Sequence, residues 1–71
     1  MTITDVNSAH EFLHAWNGRE RAGILGAAID GLRTVASLER QAGNREAELD
    51  ALEAVGVIKL RYFKVFGRCY L

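Results

Sequence analysis

Gly56-Val-Ile-Lys-Leu-Arg-Tyr-Phe-Lys-Val-Phe-Gly67-Arg-Cys-Tyr-Leu71 is the stretch on which the fold turns. It is crowded with β-branched and aromatic residues, and Ile58, Leu60 and Tyr62 alternate with Lys59, Arg61 and Phe63. Alternation at a period of two is the mark of a half-buried strand. Phe66-Gly67 then marks a turn, after which Arg68 to Leu71 returns as a second strand. The same residues fit a competing pattern, a terminal helix over 46–66, because short apolar runs satisfy both periods. The expectation is a C-terminal β-hairpin, with the long helix as its alternative.

Upstream, the pattern is helical throughout. Gly56 closes a helix that Asn44 caps and whose inner face is Leu49, Leu52 and Val55 with Ala47 or Ala51. Before it, Thr34 caps a shorter helix with Val35, Leu38 and Ala42 inward, ended by Gly43. A helix over 19–31 places Ala22, Leu25, Ala28, Ile29 and Leu32 on one face, and Asp30-Gly31 signals a turn. Gly23 and Gly26 inside it each cost about 1 kcal/mol against alanine, which predicts close approach of another backbone. The first helix, over 8–17, opens on the capping box Ser8-Ala-His-Glu11 and stops at Asn17-Gly18. Val6, Ala9, Phe12, Leu13 and Trp16 form its apolar stripe.

Helix, helix, turn, helix and hairpin is the order of a winged helix-turn-helix domain, and several segments resemble one. Gly18-Arg-Glu-Arg-Ala-Gly-Ile-Leu25 is similar to the helix of such domains that carries an Arg and then Ile-Leu. Asp30-Gly-Leu-Arg-Thr-Val-Ala-Ser-Leu38 looks like their turn into the motif, and Leu52-Glu-Ala-Val-Gly-Val-Ile58 like the end of their recognition helix. Gly67-Arg-Cys-Tyr-Leu71 looks like the returning wing strand. The nearest pattern is that of the small bacterial repressors of the arsenic-sensor type. Their metal-sensing cysteine pair is absent here, and Gly43 to Gly56 is about one helical turn shorter than their pattern. The fold implied is mainly α with a C-terminal β-hairpin, winged-helix-like, with an all-α helical bundle as the alternative. The function implied is transcriptional regulation by a DNA-binding dimer.

Length and composition bound these readings. With 71 residues, 49% hydrophobic and 25% charged, the chain is one globular domain, 1–71, with 8–17 as an N-terminal helix and 18–71 as the winged core. The apolar run Gly23 to Ile29 falls far short of the about 20 residues a bilayer requires, so no membrane partner is expected. Met1-Thr-Ile-Thr-Asp5 lacks the basic start of a secretion signal, and one cysteine makes no internal disulfide; both point to the cytoplasm. A core this small contributes only about 3–5 kcal/mol, which favours a homodimer or a bound partner.

The net charge of zero hides a segregation. Glu46, Glu48, Asp50 and Glu53 crowd the segment before Gly56, while Lys59, Arg61, Lys64 and Arg68 follow it among aromatic rings. A wing that touches duplex DNA looks like this, and so does an edge hairpin that uses cations to discourage strand pairing. On the first reading Asn44, Arg45 and Glu48 lie near the groove and Lys59, Arg61, Lys64 and Arg68 contact phosphates. On the runner-up reading the same residues bind a larger protein partner, through the acidic helix or the aromatic hairpin, and no DNA. Phe12, Leu13 and Trp16 are the candidate dimer or partner anchor, or else core. His10 and His14 stand four apart without a third ligand, so no metal site and no cofactor is expected. Cys69 reads as a small buried or half-buried residue. No nucleophile elbow or phosphate loop is present, and the chain is not expected to be an enzyme.

Overall fold

The computed structural model describes residues 2–71 and contains three helices: α1 (Val6–Ala15), α2 (Ala22–Gln41) and α3 (Arg45–Phe66). No strand occurs among the described residues. The β-hairpin and the winged-helix architecture are therefore corrected to an all-α arrangement, the alternative the sequence left open.

The reason lies in the spacing of what is buried. Ala51, Ala54, Val55, Ile58 and Tyr62 recur at helical intervals and all face inward. A strand would hide Ile58, Leu60 and Tyr62 together, yet Ile58 is 0% exposed, Tyr62 5% and Leu60 56%. The helical register wins because it continues one stripe across Gly56, which sits inside α3 instead of ending it. The stop comes at Gly67, whose φ of 70° is open to glycine and whose amide donates to the Phe63 carbonyl at 2.8 Å.

The same continuity fuses the two helices expected on either side of Asp30-Gly31. Leu25, Ile29, Leu32 and Ala36 line a single buried stripe of α2, and a turn at 30–31 would carry Leu32 out of it. Thr34, expected as a cap, lies mid-helix with its hydroxyl donating to the Asp30 carbonyl at 3.1 Å. The reversal is deferred to Gly43, with φ at 80°.

Helix α1 begins two residues earlier than expected, at Val6. Asp5, and not Ser8, is the N-cap: its carboxylate accepts the Ser8 amide at 2.8 Å, while the Ser8 hydroxyl accepts the Asp5 amide at 3.1 Å. The Val6 amide, otherwise without a helical partner, donates to Asp50 of α3 at 3.2 Å and ties the two helices together.

Helix α3 packs against both α1 and α2, which do not pack closely on each other. The Cα extents of 36 × 22 × 15 Å are those of a slab two helices thick. Ala9, Phe12 and Leu13 from α1, Leu25, Ile29 and Leu32 from α2, and Ala54, Val55, Ile58 and Tyr62 from α3 make up the core. No helix among the described residues is long and apolar enough to cross a membrane.

Candidate functional site

A slab two helices thick can bury only one side of α3, and α3 is apolar on two. At about 100° per residue, Leu49, Leu52, Gly56, Leu60 and Phe63 fall on the side opposite Ala54 and Ile58. Leu49, Leu52, Leu60 and Phe63 are 49%, 46%, 56% and 51% exposed. Together they form an exposed apolar stripe along the outer side of α3. Leu49 and Leu52 were expected to face inward, and here they do not. The inner face uses Ala51 and Ala54 instead, whose small side chains bring α2 and α3 close.

Charge borders this stripe. Glu46, Glu53 and Lys64 lie along one edge, Glu48 and Lys59 along the other, with the acids in the first half of the helix and the lysines in the second. The remaining cations of the expected wing are turned elsewhere. Arg61 donates to Glu20 at 2.8 Å, with the Glu20 side chain only 8% exposed. A hydrogen bond from its own amide holds the Glu20 carboxyl below its ordinary 4.5, and Arg61 adds to the shift against the opposing effect of burial. Arg68 donates to the Tyr62 hydroxyl at 3.2 Å and stacks over that ring at 5.7 Å.

The other residues singled out from the sequence are scattered. Asn44 and Arg45 open α3, both exposed, and the Asn44 side chain makes no capping bond. Arg45 and Lys64 stand about 30 Å apart along one helix, so the proposed groove and wing contacts do not converge on a single site. Phe12 and Leu13 are buried, at 7% and 4% exposure, and present no anchor to a partner. Trp16 is half-buried at the end of α1, with the Arg19 guanidinium 5.1 Å from its ring centre. Cys69 is exposed, against expectation. Among the described residues no three His, Cys, Asp or Glu side chains are placed to hold a metal ion.

No family model, curated protein or solved structure matches this chain. Its chemistry is read from its own surface, and there the outer face of α3 stands out. The signal for it was present in the sequence as a second helical stripe, 49, 52, 56, 60 and 63. Reading Leu60 and Phe63 as strand residues hid it.

Residues 68–71 fold back against α2. Tyr70 donates to Asp30 at 3.0 Å, and Arg33 donates to the Leu71 carbonyl at 2.9 Å. The Tyr70 ring meets Tyr62 edge-on at 5.2 Å. The bond to Asp30 raises the Tyr70 phenol above its ordinary 10.0, helped by burial and by the nearby carboxylate charge. The tail thus closes one end of the α2–α3 seam and leaves the outer stripe of α3 uncovered.

Proposed function

We propose that this chain is a small protein-binding module that works through the outer face of α3, the runner-up reading of the sequence. One observation carries it: α3 is apolar on two opposite sides and its own fold covers one. Exposing four large apolar side chains in a domain with so little core is unfavourable in water, and burying them against another protein recovers that free energy.

DNA recognition has less to stand on. Its expected carriers were a recognition helix and a wing, whereas Glu46, Glu48 and Glu53 border the exposed face and would repel phosphates. Arg61 and Arg68 are engaged within the fold.

The test is photo-crosslinking in living cells from a light-activated residue at position 52, on the stripe, with position 11 on the exposed side of α1 as control. Protein adducts from 52 and none from 11 are expected. An absence of protein adducts from 52 overturns the reading. So does salt-sensitive binding to a generic duplex that is lost in Lys59→Ala/Lys64→Ala, because that result restores the DNA reading.

A further inference from the structure

The outer stripe of α3 is symmetric about its middle. Leu49 and Phe63 each stand seven residues from Gly56, and Leu52 and Leu60 each stand four. The stripe is about 21 Å long at 1.5 Å per residue. Its centre is the one position without a side chain, and a Cβ placed there meets nothing within 4 Å. A second helix can come close at that point, since interaxial distance is set by the side chains at the contact.

The charges bordering the stripe change sign about the same centre, with Arg45 at the first residue of the helix the exception. Glu46, Glu48 and Glu53 precede Gly56, and Lys59 and Lys64 follow it. None of the five makes a hydrogen bond or ion pair within the described residues. A two-fold axis across the helix lays each edge of the stripe on the same edge of a second copy, running in reverse. Glu46 then stands within about 3 Å along the axis of Lys64 of the second copy on one edge, while Glu48 and Lys59 on the other edge are offset by about 7.5 Å. A parallel pair would instead set Glu46 against Glu48 and Lys59 against Lys64.

We infer that the outer face of α3 pairs with a second copy of this chain, antiparallel and two-fold symmetric about Gly56. The inference rests on the protein-binding reading of the same face and names its partner. The interface is isologous: one patch serves both copies, so closure at two is built in. Leucine and phenylalanine side chains supply the affinity, while the bordering charges fix the direction, which is what rim charges do well.

Sedimentation equilibrium of the full chain over a wide concentration range tests it. The mass is expected to rise from 7.9 kDa towards twice that value. Gly56→Glu sets two carboxylates against each other at the axis and keeps the chain monomeric, with helical circular dichroism unchanged because no neighbour is displaced. Glu46→Lys/Glu48→Lys and Lys59→Glu/Lys64→Glu each weaken self-association by about tenfold or more, and mixing the two restores a dimer.

Three results would overturn the pairing. A native chain that stays at 7.9 kDa at every concentration does so. A dimer indifferent to Gly56→Glu places the contact on another face. A charge variant that self-associates as tightly as the native chain excludes the antiparallel arrangement. If the chain is monomeric while position 52 crosslinks a different protein, self-pairing fails and the protein-binding reading survives. If position 52 crosslinks no protein at all, both fail.

Discussion

The Tyr70 ring lies directly over Gly26: a Cβ built on that glycine would stand 2.9 Å from Cε1 of the ring and 3.2 Å from its hydroxyl oxygen. The sequence predicted close approach at Gly23 and Gly26, by another backbone. The neighbour is instead a side chain from the C-terminal tail, and it covers Gly26 alone. Gly23 has nothing within 4 Å and lies near the start of α2.

The two glycines should consequently respond in opposite ways to the same change. Gly23→Ala raises stability by about 0.4–1 kcal/mol, since alanine restricts the unfolded chain and meets no obstacle. Gly26→Ala gains the same helix propensity but unseats Tyr70. Thermal unfolding gives the first effect; hydrogen exchange in residues 68–71 gives the second. Protection of the tail amides in Gly26→Ala equal to that of the native chain would contradict the contact.

The helical register of α3 makes a sharp prediction two residues apart. Ile58→Ala opens a cavity in the core and costs about 2–5 kcal/mol. Leu60→Ala, on the outer face, changes the unfolding free energy by less than about 0.5 kcal/mol in dilute solution. Denaturant titration of both variants checks this. Equal losses would restore the strand, in which 58 and 60 share a side.

Alkali should release the tail. The Tyr70 phenol is held protonated above its ordinary 10.0, chiefly by its bond to Asp30. A group whose folded pKa is raised contributes stability that is complete below the unfolded value and is lost as pH rises through the folded one. Docking of residues 68–71 should therefore persist to pH 10 and fail above it. Ultraviolet titration of the tyrosines reads the shift, and Asp30→Asn should bring the Tyr70 transition back down.

Acid should loosen the start of α1. The Ser8 amide, and after it the Ser8 hydroxyl, hold the Asp5 carboxyl below its ordinary 3.8. Here the sign is reversed: the contribution is present above the unfolded value and is lost as pH falls through the folded one. Protection of the first-turn amides, taken relative to their intrinsic exchange at each pH, should fall below pH 3.8, while Asp5→Asn removes that dependence. A native first turn indifferent to pH over this range would contradict the cap.

Much of the local detail was legible in the residues. Gly43 ends a helix, as its place in the sequence suggests, whereas Gly67, expected as a hairpin turn, ends α3 instead; the set Ala9, Leu25, Ala28, Ile29 and Leu32 follows the helical spacing assigned to α1 and α2, with Ala28 half-buried. The errors were joins. Asp30-Gly31 has the form of a turn and Gly56 that of a helix stop, yet the about 1 kcal/mol that a glycine costs inside a helix is small beside the burial of Leu32 or Ile58. The wing cations were grouped because they are neighbours in sequence. Only the packing turns Arg61 to Glu20 and Arg68 to Tyr62, 41 and 6 residues away.

The sequence by itself determined the helical stripes of α1 and of the first half of α2, the stop at Gly43 and the excess of acids before Gly56 and of cations after it, since all of these depend on residues close together in the chain; the caps it suggested at Ser8 and Thr34 are not N-caps, and Asn44 makes no side-chain capping bond. The tertiary structure decided whether 57–66 is strand or helix and which of two apolar stripes on α3 is inside. Such questions have no local answer. An apolar run satisfies either period until a second element is laid against it, and a helix apolar on both sides chooses its inner face by which side lets a neighbour come closer. Ala51 and Ala54 let α2 approach, and Leu49, Leu52, Leu60 and Phe63 are left to the solvent side.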